Sequence, residues 1–165
     1  MKTISEKPTT EKRGNTIIYS VEAALPASPE VVWQKLINID ELLRWDSMLI
    51  ELDGTIGPGG KIKLRSAISP KQTFSLKVSK FVPNKKMVWS SGMGPLFKGI
   101  RTYDLKPHPD GTHFHMHETF SGFMLPLIQN KLPDCDTLFG TYIKDLKKEL
   151  TQPAANENFN KIKGH

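Results

Sequence analysis

From Lys61 to Phe120 the chain alternates apolar and polar residues at every second position, in five runs separated by turn sequences. A period of two marks strands with one face in a core and the other in water. "KIKLRSAI" sets Ile62 and Leu64 against Lys61, Lys63 and Arg65, and "TFSLKVSKF" sets Phe74, Leu76 and Val78 against Ser75, Lys77 and Ser79. "KMVWSS" groups Met87 with Trp89, "FKGIRTYDL" groups Phe97, Arg101, Tyr103 and Leu105, and "THFHMHETF" groups Phe114, Met116, Glu118 and Phe120. The separators "DGTIGPGG", "SPKQ", "VPNKK", "GMGPL" and "PHPDG" are rich in glycine and proline. They are too short for the crossover helix of a parallel pair, so the runs predict an antiparallel meander.

Other periods flank this block. "TIIYSVEAAL", Thr16 to Leu25, alternates as a half-buried strand. "PASPE" stops it, with Ser28 placed to cap a helix and Pro29 at its first position. Val32, Trp33, Leu36 and Ile37 then fall at helical spacing, "NID" interrupts, and "ELLRW" reads as one further short turn. Near the other end, "PLIQNKLPDCDTLFGTYIKDLKKEL" reads as a long helix with Leu138, Phe139, Tyr142, Ile143, Leu146 and Leu150 on one face. It should begin near Pro126 and break or kink at Pro133, with Asp134 or Asp136 restarting it. Residues 1–15 and 152–165 are polar and aperiodic, so they are expected to be disordered tails around one folded domain spanning 16–151.

Composition sets outer limits. A chain of 165 residues most simply holds one core. Cys135 is the single cysteine, which excludes an internal disulfide and a cysteine-based metal cluster. The N-terminus lacks the apolar centre of a signal peptide, and no apolar run is long enough to span a bilayer; a cytoplasmic setting without stable membrane insertion is the expectation. The net charge of +6 raises the question of nucleic acid. The basic residues are dispersed, however, and no platform of interleaved aromatics accompanies them. They predict a solvated basic face and no nucleic-acid partner; a monomer or weak homodimer is the expectation for the assembly.

"ALPASPEVVWQKLINIDELLRW" resembles the opening of the START/polyketide-cyclase superfamily, and "DGTIGPGGKIKLR", "NKKMVWSSG", "IRTYDLKP" and "GTHFHMHETFSGFMLPLI" are similar to later segments of its bacterial members. The likeness covers Thr16 to Leu150. It implies an α+β helix-grip fold: a curved antiparallel sheet of six or seven strands wrapped round a long C-terminal helix, with two short helices after the first strand. It also implies a ligand cavity on the concave face. Trp33 and Trp45 are then core anchors at one end of the grip.

Two constellations could carry chemistry. His113, His115 and His117 share one face of a strand, with about 7 Å between alternate residues. Because Phe114, Met116 and Phe120 take the opposite parity, the histidines should face solvent, with His115 beside Asp104 across the hairpin. The sequence provides them with no evident carboxylate or cysteine partner, so no metal site and no cofactor is expected. The inward parity gives the sharper candidate. If "KPHPDG" pairs Leu105 with Phe114, Tyr103 meets Met116 and Arg101 meets Glu118. Buried charge is costly unless paired, so Arg101 and Glu118 should form an ion pair on the concave face.

The expected ligand-binding wall comprises Arg101, Glu118, Tyr103, Trp89, Phe74, Phe97, Met116, Phe120, Phe139 and Tyr142, with Leu76, Met87, Leu127 and Leu138 as further candidates. No hydroxyl or thiol nucleophile comes with a recognisable base, and no catalytic residue is assigned. The leading expectation is non-enzymatic binding of a small hydrophobic molecule, such as a lipid, polyketide-like or isoprenoid compound. The alternatives are a cyclase/dehydratase-type enzyme using Glu118 for proton transfer and Arg101 to polarise a carbonyl, or a chaperone-activator-like interaction module. A roomy cavity with one polar pair favours the binder, and a packed interior the interaction module.

Overall fold

A computed structural model describes residues 4–92, 94–128, 130, 132 and 134–152. In chain order its elements are β1 (Thr9–Arg13), β2 (Thr16–Leu25), α1 (Pro29–Ile37), α2 (Ile39–Trp45), β3 (Leu49–Gly54), β4 (Lys61–Ser66), β5 (Phe74–Val82), β6 (Lys86–Gly92), β7 (Lys98–His108), β8 (Gly111–Ser121), α3 (Leu125–Ile128) and α4 (Cys135–Leu150). All eight strands form one antiparallel sheet in the order β1-β2-β8-β7-β6-β5-β4-β3. The sheet is curved and unclosed, and the fold is helix-grip-like.

Two of these strands, β1 and β3, lie outside the alternating runs, and both are sheet edges. In β1 every residue is exposed, and in β3 only Leu52 is buried. Ladder hydrogen bonds do not depend on side-chain polarity, so a polar segment can add to an edge without a hydrophobic pattern. The stretch 9–13 is therefore a strand and not part of a disordered arm. Thr10 Oγ1 also donates to Asp136 Oδ1 at 3.0 Å, and Glu6 pairs with Lys147, which ties this segment to α4.

The helices begin and end where local chemistry requires. Ser28 caps α1, its hydroxyl accepting from Val31 N, and Pro29 occupies the first turn. Asn38 ends α1 in extended backbone and then caps α2, accepting from Glu41 N at 3.1 Å. Asp134 caps α4, accepting from Thr137 N at 3.1 Å. The first piece of the terminal helix is α3, one short turn; Pro133 lies outside the described residues. Within α3, Leu125 is buried, while Leu127, expected on the cavity wall, is 77% exposed. Two residues along a helix is more than half a turn, so both cannot face inward.

One face of α4 supplies Phe139, Tyr142, Ile143, Leu146 and Leu150 to the core, where they meet Val21, Leu25, Tyr103 and Phe114 from the sheet. Trp33 is buried edge-on to Phe81, with ring centroids 5.1 Å apart. Trp45 lies edge-on to Tyr142 at 5.2 Å, and its indole N–H donates to Lys35 O at 3.2 Å. Both tryptophans therefore clamp the short helices onto the sheet-and-helix core. Their large rings bury the area that such short helices could not bury otherwise.

An ion cluster fastens the same junction. Glu149 of α4 accepts from Arg44 of α2 through both carboxylate oxygens, at 2.6 and 2.9 Å, and from Lys35 of α1 at 3.1 Å. The Arg44 hydrogen bonds, with help from Lys35, outweigh desolvation and depress the Glu149 pKa to about 2. A depressed carboxylate stabilises the fold above its unfolded value, near 4.5, and that contribution is lost as pH falls toward 2. Glu149→Gln should therefore lower stability by about 2 kcal/mol at pH 7, less than the full shift because Arg44 is half exposed. Denaturant titrations should show the difference from wild type shrinking as pH falls from 5 to 3; a constant difference would contradict the charged clamp.

Candidate functional site

The β7–β8 hairpin turns through Pro109 and Asp110, and its ladder pairs Leu105 with Phe114, Tyr103 with Met116 and Arg101 with Glu118. Gly111 opens β8 at φ +135°, and a Cβ there would lie 2.4 Å from Leu25 O, so glycine is required at this corner. The ladder is the one that the alternating pattern predicts. It places Arg101 and Glu118 side by side on the concave face.

Arg101 donates to Glu118 Oε2 twice, from Nη2 at 2.7 Å and from Nε at 3.1 Å. Both side chains are about four-fifths buried, with exposures of 19% and 16%. The guanidinium carbon lies 5.4 Å from the centre of the Phe139 ring, which adds a cation–π contact from α4. Burial works against the arginine charge, but Glu118 and Tyr103 more than reverse it and hold its pKa above the ordinary value. The Tyr103 hydroxyl is pushed up to about 12, mainly by burial, with Arg101 opposing. Burial also raises Tyr142 well above its usual range. Both tyrosines are therefore neutral hydrogen-bonding groups.

The ion pair borders a cavity of about 330 Å³ between the sheet and the start of α4. Of the wall predicted from sequence, Phe74, Trp89, Phe97, Arg101, Glu118 and Phe120 line it. Phe97 stacks on Phe120 with centroids 5.8 Å apart. Tyr103 and Tyr142 instead line a smaller adjoining space of about 60 Å³, which shares Trp89, Arg101 and Leu138 with the main cavity. Met116 and Phe139 are fully buried and are not among the described lining residues of either space. They pack the core that supports the wall.

Several wall residues carry no alternating signal. Ile68, Ser69 and Gln72 come from the β4–β5 loop, and Leu132 precedes α4. Cys135 also lines the cavity, in the first turn of α4; burial pushes its thiol up to about 12, so it is not a ready nucleophile. Asp46, the residue that ends α2, lines the smaller space. Burial raises its carboxyl to about 6, against a backbone bond from Met48 and the charge of Arg101. Among its described residues the site thus has one cation, Arg101, lying near two carboxylates of different character. Trp89 adds an indole N–H that is buried without a hydrogen-bond partner among the described residues.

On the opposite face of the sheet, Asp104 pairs with His115 as the register requires. His113, His115 and His117 are half-buried rather than fully solvent-facing. Polar side chains of β2 lie against two of them: His113 Nε2 is 3.1 Å from Glu22 Oε2, and His115 Nε2 is 2.7 Å from Ser20 Oγ. The absence of a carboxylate partner, expected from sequence, does not hold in three dimensions. No described helix is long and apolar enough to cross a membrane.

The chain matches the family described as polyketide cyclase/dehydrase and lipid transport over residues 16–150, and it belongs to that family. No curated protein matches it. Solved structures share the fold at low identity. A conserved protein of unknown function from Enterococcus faecalis is 22% identical with a TM-score of 0.63, covering 89% of this chain and 78% of its own. A protein from Mesorhizobium loti is 20% identical with a TM-score of 0.66, covering 82% and 97%. CalU16 from Micromonospora echinospora is 14% identical with a TM-score of 0.57, covering 92% and 90%.

Two outcomes test the site's electrostatics. Glu118→Gln leaves Arg101 charged and unpaired, which should cost about 3 kcal/mol, whereas Arg101→Met with Glu118→Gln should cost less than the single change. A double variant less stable than Glu118→Gln would contradict the desolvated pair. For Asp46 the folded pKa lies above the unfolded value, so stability is lost as pH rises from about 4 to about 6. Asp46→Asn should therefore raise stability at pH 7 by about 1–2 kcal/mol and leave it unchanged at pH 3.5; equal effects at both pH values would refute the buried carboxyl.

Proposed function

We propose that this member of the polyketide cyclase/dehydrase and lipid transport family binds a small hydrophobic molecule in the cavity between the sheet and α4, and holds its oxygen-bearing end at Arg101. The carrying observation is a largely apolar space of about 330 Å³ walled by Phe74, Trp89, Phe97 and Phe120, with the Arg101–Glu118 pair as its charged feature. That volume lies at the lower end of small-molecule pockets, roughly 300–1,000 Å³. Such a pocket draws in apolar mass by the hydrophobic effect and sets orientation with few polar groups.

The chemistry of the polar end narrows the ligand. Both Arg101 bonds fall on one oxygen of Glu118, so the guanidinium has further N–H groups with which to donate. Trp89 lies directly across the ladder from Arg101, and its N–H lacks a partner among the described residues. A carbonyl or hydroxyl oxygen on the ligand would meet both needs. An interior with room for a guest supports this reading over the interaction module.

A second reading is catalysis of the cyclase or dehydratase kind. Asp46 supports it, because a carboxyl that titrates near pH 6 beside a cation suits proton transfer at neutral pH. The two readings differ in what leaves the protein.

Native mass spectrometry of protein purified without denaturation should show a co-purifying apolar mass of a few hundred daltons. Arg101→Met with Glu118→Gln should stay folded and lose it. The binder releases that molecule chemically unchanged after hours at pH 7, and quenching or enhancement of Trp89 fluorescence should report its return. Conversion of the released molecule, abolished by Asp46→Asn, would replace binding with catalysis. Full retention of the mass in a folded double variant would remove the ion pair from the site.

A further inference from the structure

The face of the sheet turned away from the cavity carries a second cluster of ligating groups. Asp104 on β7 stands directly across from His115 on β8, and His117 follows two residues later on the same side. The ring centroids of His115 and His117 are 5.0 Å apart. One carboxylate oxygen of Asp104 and one nitrogen from each histidine all lie within 4.8 Å of one another. We infer that Asp104, His115 and His117 form a binding site for a divalent transition-metal ion, of which zinc is the representative.

The donor set fits that class of ion. Two imidazoles and one carboxylate suit zinc, cobalt, nickel or copper better than calcium or magnesium, which prefer all-oxygen shells. Donors placed about 2.1 Å from a shared ion stand about 3.4 Å apart in a tetrahedron, so separations of up to 4.8 Å need contract by at most about 1.4 Å. Rotation about side-chain torsions supplies that, because the strand backbones already hold the three residues in register. The remaining coordination position would face solvent.

The surroundings also match. His115 is held at Nε2 by Ser20 Oγ at 2.7 Å, an outer contact of the kind that fixes ring orientation and leaves the other nitrogen to ligate. His117 is half-buried, and its Nδ1 has no hydrogen-bond partner among the described residues. Glu22, the other cross-strand neighbour of His115, adds negative charge on the β2 side. Lys86 opposes it: its ammonium lies 3.3 Å from Asp104 Oδ1 and must release that oxygen when an ion arrives.

The test uses the full chain, free of any affinity tag and stripped with chelator, titrated with zinc alone at pH 7.5 by calorimetry. Wild type should take up one zinc per chain with Kd of about 50 µM or tighter. His117→Gln and Asp104→Asn should each weaken binding at least about tenfold, with circular dichroism showing both still folded. His113→Gln, which lies outside the triad, should bind within about threefold of wild type. Cobalt should report the same site by visible absorption that is lost in His117→Gln. Binding weaker than about 50 µM, zinc affinity unchanged in His117→Gln, or an equal loss in His113→Gln would overturn the assignment.

Discussion

One hairpin sets both faces of this protein. The two-residue turn at Pro109 and Asp110 fixes how β7 meets β8, and side chains on a strand alternate with a period of two. A shift of one residue would send Arg101 and Tyr103 outward and bring Thr102 and Asp104 into the core. The turn is held by Gly111, whose backbone conformation and crowding against Leu25 exclude a side chain. From that corner the ladder runs through eleven pairs to Lys98 and Ser121. The concave ion pair and the convex histidine cluster are two readings of one register.

The Arg101–Glu118 pair illustrates how a charge can persist next to an apolar cavity. Two short hydrogen bonds from the guanidinium, the face of Phe139 and the nearby Tyr103 hydroxyl together offset its loss of hydration. Among the described residues no comparable set of contacts holds Asp46, where one backbone bond and the charge of Arg101 compete with burial, and its carboxyl shifts up instead. The wall thus contains a permanently charged group and a group whose charge depends on pH. Such asymmetry lets one end of a pocket orient a dipole while the other adjusts to it.

Much of this was legible in the sequence, because parity is a strong signal wherever one face of a strand is buried. Val32, Trp33 and Leu36 declared the first helix, and the cross-strand pairing of Arg101 with Glu118 followed from turn length and alternation alone. The edge strands were not legible. Thr9–Arg13 has no buried residue, so its pairing leaves no hydrophobic trace. Nor does parity tell a wall from its backing: Met116 and Phe120 share a face, yet only Phe120 borders the cavity, since sheet curvature and the path of α4 decide where space remains. Asp46 and Cys135 escaped for a related reason. They lie at helix ends, where no periodicity predicts direction, and only the assembled fold brings them near Arg101. The Asp104–His115 contact was legible as a pairing but not as a donor set, because the rotation of His117 toward it is a matter of packing.

The polar strand β1 has a consequence of its own. An open sheet exposes unpaired amide and carbonyl groups at each edge, and such edges invite other strands to add. Were β1 absent, the exposed edge would be β2, ten residues of near-regular alternation rich in isoleucine, valine and alanine. That is a template for self-association. With β1 in place, the outermost strand reads "TTEKR", short and charged, with Arg13 and Glu11 engaged with each other at 2.7 Å. The other edge, β3, is blunted by a bulge between Leu49 and Glu51 and by the acidic residues Glu51 and Asp53. The segment with the least hydrophobic character in the sheet is thus its gatekeeper: it adds almost nothing to the core and keeps neighbouring molecules from extending the ladder.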